Sequence, residues 1–406
     1  MIKNISKLDT KSLLFLMALW SYALFALPIG AITSLVILLF TYFLYCKGKI
    51  FIRITLFHKY LVVFVVFCFL SSLWAIDSSV AFLQGEALLK NLIIIFSLYM
   101  VFDTYKDVTP ILDIILVGGY IIVVYLFFKY GVDDLFLLLK NASRIDNDVI
   151  NANILGMSLA YSGIVLVYYG AYYGWKIWHL LFFINVSIVI ISASKKGILI
   201  LLMGSCAVLV LKNWKNRFRD IFKIILLIIL LALAISFLIK LPIFNGLYIR
   251  FQKFLAGITG KGRGDISTIS RLQYQSLGIS IWKEHPILGV GIDNAQIING
   301  HINGDYTFLH NNYVELLADI GIVGFGLFYS IYVYLLYQFY KLRIYRDAEY
   351  DVCLIILAMD FVMGFAYVSY GERSAFFIIM LAFFKVMQIK EKHKMRGKDE
   401  SKKVYL

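Results

Sequence analysis

An all-α integral membrane protein, with about twelve transmembrane helices and one large extracytoplasmic loop that itself contains a helix, is the fold class this sequence predicts. Three observations predict it. Of 406 residues, 61% are hydrophobic and 17% aromatic, well above the composition of soluble domains. The apolar residues come in runs long enough to cross ~30 Å of hydrocarbon. Lysine and arginine cluster in the short segments between those runs.

The first two runs, 13–28 and 29–46, are short and separated only by Pro28-Ile29-Gly30. No cleavable signal peptide is expected, because Leu13 to Pro28 leads straight into the next run without a small-residue cleavage site. Further spans are expected at 59–76, 82–102, 110–130, 151–172, 175–193, 195–211, 219–240, 313–340, 350–370 and 374–390. Pro28, Pro110, Pro242 and Pro286 fall at run ends or in the long polar segment, so no helix interior is broken. Cys46, Cys68, Cys206 and Cys353 show no short spacing, which argues for packing residues over a disulfide framework or a metal knuckle.

A cytoplasmic N-terminus puts Lys47, Lys49, Arg53 and Lys59 inside, followed by Lys212, Lys215, Arg217 and Arg219, then Lys341, Arg343 and Arg346, and the basic tail after Lys390. The positive-inside rule asks for this arrangement, and both termini are then cytoplasmic. It also explains the net charge of +14 better than nucleic acid does. Four segments follow: a transmembrane bundle over 1–240, an extracytoplasmic loop over 241–312, C-terminal transmembrane helices over 313–390, and a basic cytoplasmic tail over 391–406. Within the loop, Ile266 to Pro286 reads as a helix with Arg271, Tyr274, Gly278 and Trp282 on one stripe, ended by Pro286, Gly289 and Gly291.

Orientation exposes Ser194-Lys195-Lys196-Gly197 at an outer junction, against the charge bias. Two lysines there either snorkel to head groups or meet an anionic ligand such as a pyrophosphate. The strongest local pattern is Phe308-Leu309-His310-Asn311-Asn312-Tyr313-Val314-Glu315, where polar loop becomes spanning helix. Asn312 followed by Glu315 matches a capping box, which gives Glu315 a structural explanation beside a catalytic one. His310 falls just outside the cap, where the helix dipole disfavours imidazolium, and a neutral imidazole suits a general base; a solvated loop histidine is the alternative. Arg271 and Arg144 either solvate their loops or bind an anion. Glu86, Asp319 and Asp360 lie within spans and need partners, Lys90 among them, or a polar cavity. Walker, GxGxxG and HExxH patterns are missing, as are the clustered carboxylates of metal-dependent sugar transferases.

Arg271, Trp282, His285-Pro286, Gly289-Val290-Gly291, His310-Asn311, Tyr313 and Leu317 to Gly324 together resemble the C-terminal signature of the O-antigen ligase and polysaccharide polymerase superfamily. Leu73-Trp74-Ala75, Arg144, Asn151 to Gly156 and Ser194 to Gly197 extend the resemblance upstream. The resemblance implies a membrane glycosyltransferase of the bacterial cytoplasmic membrane, acting at its outer face without metal or other cofactor. Its implied donor is an undecaprenyl-diphosphate-linked oligosaccharide, and its acceptor a glycan or lipid A core.

It maps the family's loop histidine onto His310 and its pyrophosphate-binding arginines onto Arg271 and Arg144. Another arginine position is Lys195 here, which keeps charge but loses the bidentate fork, with Lys196 as a helper. Asp319 stands where many relatives have Glu, and Asn153, Asn311, Tyr313 and Glu315 are supporting candidates. A cation-stabilised leaving diphosphate and a histidine base point to a single inverting displacement. The resulting expectation is a repeat-unit polymerase for O-antigen or capsule, with an O-antigen ligase acting on lipid A core or a protein acceptor as the near alternative. A polysaccharide transporter or flippase is the alternative of another class. A chain-length regulator and a flippase are the implied protein partners.

Overall fold

The computed structural model describes residues 9–25, 30–141, 151–212 and 266–403. The expected span at 219–240 and Arg144 lie outside the described residues. Every regular element described is helical: α1 (Thr10–Phe25), α2 (Gly30–Cys46), α3 (Leu56–Leu70), α4 (Ser78–Asp103), α5 (Thr109–Asn141), α6 (Ala152–Tyr173), α7 (Phe182–Ile191), α8 (Lys195–Lys212), α9 (Ile266–Glu284), α10 (Ala295–Asn303), α11 (Asn312–Lys341), α12 (Ala348–Met363) and α13 (Arg373–Lys403). Among the described residues, five segments are long and apolar enough to cross a membrane by themselves: Leu56–Leu73, Ser78–Asp103, Thr109–Leu135, Ala152–Tyr173 and Asn312–Lys341. The loop helix expected from Ile266 to Pro286 is α9, and it stops at Glu284, just ahead of the proline.

The chain divides into two compact units. One comprises residues 1–21, 31–112 and 275–406, and the other 22–30 and 113–274. In the first unit, α3 is apolar on both faces. Leu61, Phe64, Val65 and Cys68 are buried, while Val62, Val63 and Val66 are 41%, 52% and 49% exposed. A helix hydrophobic all round belongs in lipid. Aromatic side chains fill the space between α3, α4 and α13, with Tyr99 stacked on Phe57 at 5.8 Å and on Phe384 at 4.5 Å. Because lipid tails are as apolar as these rings, close packing rather than escape from water holds such helices together.

The ends of the first unit are chemically different. At one, Arg53 pairs with Glu391 at 2.7 Å and Asp103 at 3.5 Å. Nearby, the fully buried Lys385 within α13 pairs with Asp347 and Glu349 at the start of α12, at 2.7 and 3.2 Å. This end gathers the cations that the charge bias assigns to the cytoplasm. The turns 71–77 and 364–372 and the long segment before α11 belong to the other.

In the second unit, α6 is buried along most of its length, against α5, α7 and α8. Small residues permit this. A Cβ on Gly197 would lie 2.7 Å from the carbonyl of Gly156, and one on Gly204 would lie 2.2 Å from Ile164, the close approach that spanning helices favour. Buried polar groups are paired across helices: Asn185 donates to the Leu159 carbonyl at 3.0 Å, and Ser162 to that of Leu116 at 3.0 Å. Glu86 pairs with Lys90 at 2.7 Å on the exposed face of α4, as the sequence suggested.

Candidate functional site

In the first unit the site is built around a break in α11. Ile320 (φ −128°, ψ 15°) and Gly321 (φ 62°, ψ −168°) leave the helix, which strands carbonyls above the break and N–H groups below it. The segment after α9 satisfies both. Val290 and Gly291 donate to the Ala318 and Asp319 carbonyls at 3.1 and 2.7 Å, while Ile322 donates to the Pro286 carbonyl at 2.9 Å. Glycine is required on both sides. A Cβ on Gly289 would sit 2.4 Å from the Asp319 carbonyl, and one on Gly321 2.3 Å from that of Ile287.

The turn before α4 closes the same knot. Trp74 Nε1 donates to the Leu288 carbonyl at 3.1 Å, Ile76 N to that of Val290 at 3.1 Å, and Gly291 abuts Ala75. Three separated sequence motifs, Leu73-Trp74-Ala75, Gly289-Val290-Gly291 and Asp319-Ile320-Gly321, thus form one structural joint.

That joint carries the polar groups. Asp319, fully buried, accepts from Ala295 N at 2.8 Å and caps α10 from another helix. Its second oxygen accepts from the Tyr370 hydroxyl at 3.4 Å. Asp293 stands beside them at φ 63°, with a buried Oδ1 that has no hydrogen-bond partner among the described residues. Burial pushes the Asp293 acid up to about 7, against an opposing hydrogen bond from Gln296.

Asp293 supplies a pH test. Between about pH 4 and pH 7 its folded carboxyl keeps a proton that the unfolded chain has lost, so rising pH favours unfolding across that window. Asp293→Asn removes this penalty and tolerates the left-handed backbone. The variant is expected to match the parent near pH 4.5 and to melt progressively higher than it toward pH 7.5. A parent-to-variant difference that stays flat across that range contradicts the assignment.

The start of α11 corrects one expectation. Its cap is Asn311, not Asn312: Asn311 Oδ1 accepts from Tyr313 N at 3.0 Å and Val314 N at 3.2 Å. Two adjacent asparagines made the register ambiguous by one residue. Asn312 is a cross-link instead, accepting from Ser369 N at 2.8 Å and Tyr370 N at 3.0 Å and donating to the Tyr329 hydroxyl at 2.7 Å. Glu315, fully buried, accepts from Leu309 N at 2.6 Å through Oε2. It therefore pins the residue ahead of His310 rather than closing a capping box. Tyr313 donates to the Phe361 carbonyl at 2.6 Å and stacks on Tyr329 at 4.7 Å.

His310 lies between the Leu309 clamp and the Asn311 cap, half-buried, with φ 61°. Positive φ in a non-glycine residue is a strained choice that persists only where the surroundings enforce it, and it recurs at active sites. Here the two clamps enforce it. Gly278 of α9 packs against Leu309 and Val314, so the stripe read along α9 does face the histidine loop at that position. Arg271, half-buried two turns earlier on α9, belongs to the second unit.

The other predicted cations belong to the second unit. Lys195 is exposed and Lys196 only 7% exposed, both in the first turn of α8. Gly156 packs on Ser192, Ser194 and Gly197, which brings the starts of α6 and α8 together. Asn151 caps α6, accepting from Asn153 N at 2.9 Å, and Asn153 is half-buried in its first turn. Two helix starts and two lysines make a positive junction suited to an anion.

Sequence reasoning missed Asp293 and Tyr370. The available signal was a short polar segment, Ser369 to Arg373, between two apolar runs.

Long apolar helices with lipid-facing side chains, and a polar, glycine-jointed break in one of them, fit a helical integral membrane protein. Residues 180–329 match the family model described as O-antigen ligase. No curated protein matches the chain.

Proposed function

We propose that this protein transfers glycan from an undecaprenyl-diphosphate carrier to an acceptor hydroxyl at the outer face of the bacterial cytoplasmic membrane, polymerising O-antigen or capsular repeat units. The observation that carries the proposal is His310, held in a strained conformation at the mouth of α11 within the O-antigen ligase family segment. The acceptor oxygen attacks the anomeric carbon while His310 takes its proton. The bond from that carbon to the diphosphate oxygen breaks with inversion, and the electron pair leaves with the diphosphate. Lys195, Lys196, Arg271 and Arg144 stabilise the departing charge. Glu315, Asn311 and Tyr313 hold the histidine loop, while Asp319 and Asn153 support the segments around it.

Twelve spans, cytoplasmic termini and an extracytoplasmic 241–312 loop complete the proposed topology. A flippase supplying the donor and a chain-length regulator are the proposed partners. Transport as the activity itself fits less well with a large extracytoplasmic loop and polar chemistry concentrated on one face.

The ligase alternative, with lipid A core as acceptor, is favoured by the description of the matching family. Deletion separates the two. A polymerase mutant is expected to display single repeat units on the cell surface, while a ligase mutant displays none and leaves polymer on its lipid carrier. Surface glycan unchanged in length and amount would remove both.

A further inference from the structure

The turn between α12 and α13 enters the first unit instead of lying across its end. The Gly371 carbonyl accepts from Asn91 Nδ2 at 2.7 Å, and a Cβ on Gly371 would meet Gln84 at 3.1 Å. Asn91 lies 13 residues into α4 from Ser78, about 20 Å of helix. Arg373, the first residue of α13, is drawn to the same depth, where its Nε donates to Asn91 Oδ1 at 2.8 Å.

Two features of Arg373 are energetically costly. A cation at a helix start opposes the dipole of that helix. An arginine at membrane depth is expensive, and such residues mark ligand pathways. Asn91 is 7% exposed and uses both ends of its amide to fix this geometry, so the guanidinium is held at Nε alone. Its terminal N–H groups have no hydrogen-bond or ion-pair partner among the described residues. The neighbouring Glu372 carboxylate accepts from Tyr367, and its charge also acts on Arg373 without a direct ion pair to the terminal N–H groups.

The same turn is tied to the proposed catalytic loop. Ser369 N and Tyr370 N donate to Asn312, two residues after His310, and the Tyr370 hydroxyl donates to Asp319. A pinned guanidinium with an open pair of N–H groups presents the fork that matches two phosphate oxygens. We propose that Arg373, oriented by Asn91, is a binding residue for a phosphate group of the lipid-linked donor beside His310. This inference rests on the glycan-transfer proposal above, and it supplies the bidentate cation that Lys195 cannot be.

The test uses the full chain in phosphatidylcholine nanodiscs, with undecaprenyl diphosphate as the probe and intrinsic fluorescence or thermal shift as the readout. Arg373→Ala is expected to weaken binding by about tenfold or more, and Arg373→Lys by less, since it keeps charge without the fork. Asn91→Ala leaves the cation but frees it, and is expected to weaken binding severalfold. Should Arg373→Ala fail to fold, the lysine and Asn91 variants decide, each checked by its ligand-free melting temperature. A parent that does not bind the probe overturns the donor proposal itself. A parent that binds, with Arg373→Lys and Asn91→Ala binding equally well, overturns the role of Arg373 alone. A loss seen only in phosphatidylglycerol discs assigns the arginine to an ordinary phospholipid headgroup and likewise overturns it.

Discussion

His310→Ala is expected to slow glycan transfer by roughly a hundred- to ten-thousandfold while donor binding survives, the usual cost of losing a positioned base. The side chain makes the difference, because alanine at φ 61° keeps a strained backbone whose clamps, Leu309 N to Glu315 and Asn311 to the start of α11, remain in place. The check is single-turnover transfer from purified donor at saturating acceptor, alongside donor binding by the same preparation. Transfer at the parent rate would make His310 a loop residue and move the search for a base to Asp293 or Asp305.

Gly321→Val is expected to do greater damage, and to the fold rather than the chemistry. A β-branched residue must adopt φ 62°, ψ −168°, and its Cβ must occupy space 2.3 Å from the Ile287 carbonyl. Backbone, not a movable side chain, is in the way. Strain and clash together cost on the order of 4 kcal/mol, enough to unmake the joint that carries Asp319 and the His310 loop. Loss of the protein from the membrane fraction is the expected readout. Gly326→Ala is the control in the same helix, since nothing lies within 4 Å of a Cβ there; it should accumulate normally. Equal abundance of the two variants would mean that the joint is not structural.

Comparing these two sites shows what the sequence made legible. Helices were legible because lipid imposes one solution on backbone polar groups, so each apolar run had to be a helix. His310 was legible because polar loop gives way to an apolar run beside it. The break at Ile320-Gly321 was not, since apolar residues on both sides extend the 313–340 run without interruption. Helix breaks in membranes are tolerated wherever another segment satisfies the freed groups, and here that segment lies some thirty residues upstream.

The same remoteness hid Tyr370 and Arg373, whose partners come from α11 and α4 rather than from their neighbours in sequence. Asn311 and Asn312 illustrate a smaller limit. Either could cap the helix by local chemistry, and only the tertiary bonds from Ser369 and Tyr370 to Asn312 decide between them.

The central claim is that this chain moves glycan from a lipid diphosphate to a hydroxyl. Its most direct test is to incubate the purified protein in nanodiscs, without nucleotide, with an undecaprenyl-diphosphate repeat unit from the same organism and to follow both products. The account predicts glycan chains lengthened at the carrier and free undecaprenyl diphosphate released in step, one for each unit transferred, with both lost in His310→Ala. With lipid A core added as the acceptor, glycan on the core with the same stoichiometric release would identify the ligase form of that chemistry. Donor recovered intact with either acceptor, from protein shown to bind it, would contradict the account.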